Sequence, residues 1–283
     1  MNAPVDEKVR VFRAPTCSNC MRVVGHLRAR GVEFEDINLM TNPSALKELE
    51  EIGVKCIPVV VKGKRYAAGQ DLDKIDELLG IKKTNTVLPI EEVVERIIAL
   101  IKAWARFARQ LPPSTYRNVT PGMEGIDAFY MPNGDKFTLS DGRVYVPHGT
   151  YYGLVGHVLR HARRVRALIT DPASPVFTTP RVFADFGEPL PEVELHELLA
   201  DGEAIIQCIE RWWSNASRKD VEVIVNTFHG PRTVHQLLLG ETYCLAQHTR
   251  QLMTLLRQLD IEPDVPIGES EYSGLQLPDN VWK

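Results

Sequence analysis

The sequence predicts a two-domain chain, in which a small α/β domain precedes a larger all-α domain. Two observations support this prediction. The first eighty residues alternate short strand-like and helix-like segments, whereas four long amphipathic segments follow them. The polar stretch IKKTNT (81–86) separates the two patterns. A chain of 283 residues has room for two domains. We place them at 8–82 and 88–262, with a C-terminal tail at 263–283.

The predicted α/β domain has the element order β-α-β-α-β-β-α. Glycines at Gly31 and Gly53 mark the ends of the first two helices, because glycine commonly follows a last helical turn. Asp71 is a plausible N-cap for the third helix. The segments are strands at 9–14 and 32–39, helices at 18–31 and 42–53, a hairpin at 56–69 and a closing helix at 71–80.

The predicted all-α domain rests on apolar residues that recur every three to four positions in long segments. Four long helices with irregular connections are typical of a helical bundle. Between them, LSDGRVYV (139–146) suggests a hairpin, and VEVIVNTFHGPRT (221–233) suggests either a strand pair or an extended lead-in to the last helix. The four helices are expected at 88–111, 151–169, about 192–213 and about 233–259.

Composition excludes several classes of function. A net charge of −4 without a long basic stripe argues against nucleic acid as a partner. No apolar run reaches the ~18–20 residues that span a bilayer, so we expect no membrane insertion. The first ten residues lack an apolar signal core, which favours a cytoplasmic protein. Five cysteines, two of them in a Cys-x-x-Cys, indicate redox or metal chemistry rather than structural disulfides.

The Cys-x-x-Cys pair, Cys17 and Cys20, lies where a strand is predicted to turn into a helix. The backbone N–H groups at the start of that helix lower the pKa of Cys17 and favour its thiolate. Cys20, one turn inside, is placed to resolve a mixed disulfide. Half of a zinc site is the alternative, although the sequence has no second Cys-x-x-Cys to complete it. The pair is therefore predicted to be catalytic.

Residues 9–81 resemble a glutaredoxin, a small domain of the thioredoxin fold. The features that match are CSNC after the first strand, CIPVVV at the family's Thr-Val-Pro position, and AGQDLDKIDELL at its Gly-x-Asp run. The resemblance implies a cis peptide bond at Pro58 and a thiol peptide such as glutathione paired with the backbone of Ile57. It also implies that the ends of that peptide are bound by Gly69, Gln70 and Asp71.

The chain departs from the glutaredoxin pattern at two positions. Ala14 stands where the family usually has lysine, and Cys56 stands where it usually has threonine. Cys56 is either a third thiol that joins the redox or metal chemistry, or a small buried apolar residue.

A second set of candidate residues lies in the helical domain. His157 and His161 are four residues apart in one predicted helix, and Cys244 and His248 have the same spacing in another. Residues four apart share a helix face, so each pair can grip one ion. The alternative is that the histidines are packed or solvated and that the cysteine fills the core. Spacing alone leaves both open.

Residues from about 88 to 260 resemble the DinB-like family of four-helix bundles, which includes metal-dependent thiol transferases and isomerases. The strongest match is GPRTVHQLLLGETYCLAQHTRQL (230–252). The resemblance implies one divalent metal, most likely zinc in our expectation, on His157, Cys244 and His248. Cys244 replaces the family's usual histidine. His161 is either a fourth ligand or a base.

These features predict an enzyme of small-thiol chemistry. The metal would activate glutathione or a similar thiol against a small electrophilic substrate, and the thiol domain would deliver that thiol or reduce the resulting disulfide. One alternative is a thiol–disulfide oxidoreductase whose bundle binds a metal or a partner without catalysis. Another is a redox-sensing regulator. A homodimer is a possible assembly in each case.

Overall fold

The computed structural model describes residues 8–14, 17–39, 42–54, 56–69, 71–82, 87–125, 136, 138, 142, 144, 149–178, 193–227, 230–278 and 280–282. A four-stranded sheet with three helices forms the first part. Long helices form most of the rest. Within the described ranges, none of the helices combines the length and the apolar character that crossing a bilayer requires.

The N-terminal part confirms the predicted element order. Its sheet has the strand order β2-β1-β3-β4, with β1 parallel to β2 and antiparallel to β3, which is itself antiparallel to β4. The strands are β1 (Val9–Arg13), β2 (Phe34–Asn38), β3 (Val59–Lys62) and β4 (Arg65–Ala68). The helices are α1 (Ser18–Ala29), α2 (Pro43–Glu51) and α3 (Leu72–Leu79).

Alternation along β1 divides the side chains between the two faces of this sheet. Val11 points into a core shared with α1 and α3, whereas Phe12 points into a second core shared with α2. Successive strand residues face opposite sides, so the apolar neighbours Val11 and Phe12 let one strand serve both cores. The result is three layers, with the sheet in the middle.

The remainder of the described chain is mainly helical. Its helices are α4 (Ile90–Gln110), α5 (Tyr151–Thr170), α6 (Leu195–Trp213), α7 (Arg218–Glu222), α8 (Val234–Gln258) and α9 (Glu269–Tyr272). A strand pair, β5 (Ile224–Thr227) and β6 (Gly230–Thr233), leads into α8, as predicted. The hairpin predicted at 139–146 lies mostly outside the described residues. Of the described residues there, Thr138 and Val144 form one antiparallel bridge.

The four long helices share one apolar core. Both α4 and α5 pack along α8, and α6 packs against α4 and α5. Trp104 lies fully buried in this core and donates its indole N–H to the carbonyl of Val155 at 2.9 Å. A Cβ at Gly202 would lie 2.6 Å from the Trp104 ring. The absence of a side chain at Gly202 therefore lets α6 approach α4 closely.

Helix α8 begins at a complete capping box. The hydroxyl of Thr233 accepts from the backbone N–H of Gln236 at 3.1 Å, and the Gln236 amide oxygen accepts from the Thr233 N–H at 3.0 Å. The segment after α8 returns along the helices, and Ile267 and Leu275 enter the shared core. The predicted tail is thus packed against the helices at several of its described residues. Its Val281 carbonyl reaches α8 itself.

Candidate functional site

One edge of the sheet gathers the residues expected to bind and react with thiols. Cys17 follows the end of β1, and Pro58 directly precedes β3. Because β1 and β3 are antiparallel, with Phe12 opposite Val59, the end of one meets the start of the other. The peptide bond between Ile57 and Pro58 is cis, as the resemblance implied.

Cys17 is the N-cap of α1. Its Sγ accepts a hydrogen bond from the backbone N–H of Cys20 at 3.3 Å. Cys17 is partly exposed, whereas Cys20 is fully buried. The predicted placement of the pair, with one thiol at the helix start and one a turn inside, is what the structure shows.

Hydrogen bonding and burial separate the acidities of the two thiols. The pKa of Cys17 is lowered, chiefly by a hydrogen bond from the Cys20 thiol, then by the backbone N–H groups of Cys20 and Asn19 and by the charge of Arg13. The pKa of Cys20 is raised well above its usual range, first by burial and then by Cys17. Cys17 is thus the thiol of the pair that ionises first, which is the property that a nucleophile in thiol–disulfide exchange needs.

The expected peptide-binding residues lie beside this pair. The N–H of Gly69 donates to the carbonyl of Pro58 at 2.8 Å, which closes the β3–β4 hairpin at the site. Asp71 caps α3, as predicted, by accepting from the N–H of Lys74 at 3.2 Å. Ile57 is partly exposed on the same edge. Gln70 lies outside the described residues.

The helical part covers this edge of the sheet. The Sγ of Cys244, on α8, lies 3.2 Å from the Ser18 hydroxyl and 3.4 Å from the side-chain oxygen of Asn19. Ser18 and Asn19 are the two residues between the paired cysteines. The start of α1 is therefore in direct contact with the middle of α8.

Two charged contacts reinforce that junction. The guanidinium of Arg22 lies over the Tyr243 ring, 5.1 Å from its centroid. Arg232, on β6, pairs with the carboxylate of Asp71 at 3.1 Å. Asp71 is one of the residues expected to bind the thiol peptide. Its carboxylate already faces a cation from the other part of the chain.

Three histidines form a second cluster in the helical part. His157 and His161 lie on α5, and His248 lies on α8. All three are buried, and one ring nitrogen from each lies within 4.8 Å of the others. The rings of His157 and His248 are 4.5 Å apart, centroid to centroid, and meet edge to face. Such a group can hold one metal ion.

Neighbouring side chains orient two of these rings for metal binding. His161 donates its Nδ1–H to the carboxylate of Glu241 at 2.7 Å, and His248 donates its Nδ1–H to the amide oxygen of Gln251 at 2.7 Å. A ring that donates from Nδ1 carries its lone pair on Nε2. Metal-binding histidines commonly have this arrangement. The donor set therefore fits a divalent ion such as zinc.

The charge around the cluster is mixed. Burial lowers the pKa of His248 to about 4, with a further lowering from the charge of Arg160, so the ring is neutral at neutral pH. Arg160 donates to His157 Nε2 at 3.2 Å. Arg164 pairs with Glu241 at 2.6 Å. Two guanidinium groups and one carboxylate thus surround the cluster. The excess positive charge favours an anionic ligand beside any bound ion.

Cys244 does not join the histidine cluster, contrary to the expected ligand set. The structure brings together His157 and His248 as expected, but the third member is His161. Cys244 is one turn before His248, and its short side chain is directed to Ser18 and Asn19 of α1. Burial is the largest cause that raises the pKa of its thiol, to about 12.

Comparison with known proteins identifies the family of the N-terminal domain. The sequence model of the glutaredoxin family matches residues 9–66. The N-terminal domain is a glutaredoxin domain. A solved glutaredoxin structure from Archaeoglobus fulgidus is similar, with 30% identity over 26% of this chain and 86% of that chain, and a TM-score of 0.24. A search of curated proteins finds no match.

Sequence reasoning missed the residues that support the histidines. Glu241 lies seven residues before His248, which is two turns along one helix face, so a signal for it was present. Gln251 and Arg160 each lie three residues after a histidine of the cluster, so helix spacing placed them on the same faces as well. Cys56, whose role was left open, packs against the core beside α2, and burial raises its pKa to about 11. Its environment is that of a small apolar residue.

Proposed function

We propose that this chain is a thiol–disulfide oxidoreductase joined to a metal-binding helical domain, and that together they catalyse thiol transfer to, or isomerisation of, a small electrophile. Glutathione or a similar low-molecular-weight thiol is the cosubstrate. The observation that carries this proposal is the position of α8. It touches the start of the Cys-x-x-Cys helix through Cys244 and supplies His248 to the histidine cluster one turn later.

The redox step uses the chain's own thiols. The Cys17 thiolate attacks one sulfur of a disulfide RS–SR, forms a Cys17–SR bond and releases RS⁻. Cys20 then gives up its proton and attacks the Cys17 sulfur, which releases the second RS⁻ and leaves a Cys17–Cys20 disulfide. Two molecules of the small thiol reduce that disulfide by the reverse exchanges. The acidities of the two thiols support this order.

The helical domain supports the second activity. His157, His161 and His248 would hold the metal, with Glu241 and Gln251 orienting two of the rings. A bound divalent ion stabilises a thiolate or polarises an electrophile as a Lewis acid. Three protein ligands leave a position for an exogenous ligand, as catalytic zinc sites do. The resemblance to DinB-like thiol transferases points the same way.

Metal analysis of the purified protein tests the proposal. We expect about one divalent ion per chain in the wild type and none in His248→Ala. A chelator should abolish conjugation of glutathione to 1-chloro-2,4-dinitrobenzene, and zinc should restore it. Reduction of hydroxyethyl disulfide should survive the chelator, since it needs only Cys17 and Cys20.

Two results would count against the proposal. A wild type that neither contains nor takes up zinc would remove the metal-dependent activity. A protein that binds metal and reduces disulfides, yet turns over no electrophile, would make the helical domain a non-catalytic scaffold. The helical domain would then have a redox-sensing or partner-binding role instead of the proposed metal-dependent activity.

A further inference from the structure

Cys244 is a nucleophilic group that neither part of the proposed chemistry uses. It is buried, and its sulfur contacts Ser18 at 3.2 Å and Asn19 at 3.4 Å. Those two residues immediately follow Cys17 in the CSNC motif. A third thiol therefore lies against the same helical turn as the reactive pair, but on the other side of the junction between the two parts of the chain.

We propose that Cys244 is a second resolving thiol, which forms a disulfide with Cys17 and so links the glutaredoxin domain covalently to α8. This inference rests on the proposed thiol chemistry of Cys17. A disulfide RS–SR first converts Cys17 to the mixed disulfide Cys17–S–SR and releases RS⁻. The Cys244 thiol then loses its proton to solvent or buffer and attacks the Cys17 sulfur. A Cys17–Cys244 bond forms, and the second RS⁻ leaves.

Oxidation of Cys17 itself prepares this attack. The charge of the Cys17 thiolate is one of the influences that raise the pKa of Cys244, and it acts on Cys20 in the same direction. A mixed disulfide at Cys17 is neutral, so this repulsion disappears once the first exchange has occurred. Both neighbouring thiols then ionise more readily than in the reduced protein. Resolution thus becomes easier only after Cys17 has reacted.

The two resolving thiols would have different structural consequences. A Cys17–Cys20 disulfide closes within the first turn of α1. A Cys17–Cys244 disulfide instead holds α1 against α8, one turn from His248, a member of the histidine cluster. The Cys17–Cys244 disulfide therefore couples the oxidation of Cys17 to the position of α8, the helix that carries His248.

Mass spectrometry of the full chain tests this assignment. The Cys20→Ser variant would be treated with glutathione disulfide, quenched with acid and digested with trypsin without reduction. We expect peptide 14–22 linked to peptide 233–250, since these contain Cys17 and Cys244. In Cys20→Ser/Cys244→Ser the link should be absent. The Cys17–glutathione adduct should then last at least about tenfold longer, because a neighbouring thiol acts at high effective concentration.

Two controls make the outcome decisive. Cys20→Ser/Cys208→Ser removes a cysteine of α6 and should retain the linked peptide. Cys244→Ala repeats the test without the added hydroxyl, in case the serine disturbs the junction. A stable Cys17–glutathione adduct in Cys20→Ser, with no linked peptide, would overturn the inference. No adduct at Cys17 in any variant would overturn the proposed redox function, and this inference with it.

Discussion

The side-chain oxygen of Gln251 accepts the Nδ1–H of His248 at 2.7 Å. The amide nitrogen of Gln251 donates in turn to the carbonyl of Val281 at 3.0 Å. The C-terminal segment thereby fixes which way the Gln251 amide points, and the amide fixes which nitrogen of His248 can bind a metal.

Replacing Gln251 with leucine should weaken zinc binding about 10–100-fold, the range typical for loss of a group that orients a ligand. Competition with a chromogenic chelator measures the affinity. Gln247→Leu is the matched control, because Gln247 is equally buried and donates to the same Val281 carbonyl at 2.7 Å, yet holds no histidine. Equal affinities in the two variants would show that Gln251 does not act through His248.

The acidity of Cys17 should depend on the thiol of Cys20. Since a hydrogen bond from Cys20 is the largest cause of the lowered pKa, Cys20→Ala should raise that pKa, and Cys20→Ser should largely preserve it. A lowered pKa keeps Cys17 ionised at lower pH, so its alkylation rate falls only as the pH drops through that value. The rate of iodoacetamide labelling against pH gives the midpoint. The same midpoint in both variants would contradict this cause.

The close approach of α6 to Trp104 makes Gly202 sensitive to substitution. Gly202→Ala would place a methyl group 2.6 Å from a buried, hydrogen-bonded indole ring, and we expect a loss of about 1–3 kcal/mol from overpacking. Gly25→Ala in α1 is the control, because the new Cβ meets nothing within 4 Å and alanine favours helix. Denaturant unfolding of both variants measures the difference. If Gly202→Ala left the free energy of unfolding unchanged, α6 could move away from Trp104 at no cost.

The glutaredoxin domain should fold without the helices that follow. Among the residues that the structure describes, its two cores are built from residues between Val9 and Leu79, without a contribution from α4 onward. A fragment ending near residue 85 should therefore show a cooperative thermal transition and reduce hydroxyethyl disulfide. Its Cys17→Ser variant should fold but be inactive. An unfolded fragment would place part of the domain's stability in the junction with α8.

Local sequence signals predicted the elements well. Alternation and turn glycines located the strands of the N-terminal sheet, and the last long helix was expected at about 233–259, where α8 spans Val234–Gln258. These features depend on neighbouring residues alone, which is why they can be read without a structure. The third long helix was expected from about residue 192, whereas α6 begins at Leu195.

The histidine cluster was harder to predict. Spacing showed that Cys244 and His248 share a face of α8, but not what that face meets. The rotation of α8 against α1 and α5 places Cys244 at the junction and His248 at the cluster. Such a rotation is set by contacts between residues far apart in sequence. The sequence offered His161 as a fourth ligand or a base. Only the packing of α5 on α8 shows that it lies with His157 and His248.

The buried polar face of α8 limits how a substrate can reach the two sites. Gln247 and Gln251 are fully buried and both donate to the Val281 carbonyl of the C-terminal segment, so sliding the helix against that segment would break both hydrogen bonds at about 1–3 kcal/mol each. Helix α8 contacts α1 less extensively than it contacts α4 and α5. The contacts with α1 include the Arg22 guanidinium over the Tyr243 ring and the Cys244 sulfur against Ser18. We therefore expect motion to occur as a swing of the glutaredoxin domain away from a rigid α8, on the microsecond-to-millisecond timescale of hinge motions. Amide exchange should then be slow throughout the middle of α8 and fast at the start of α1.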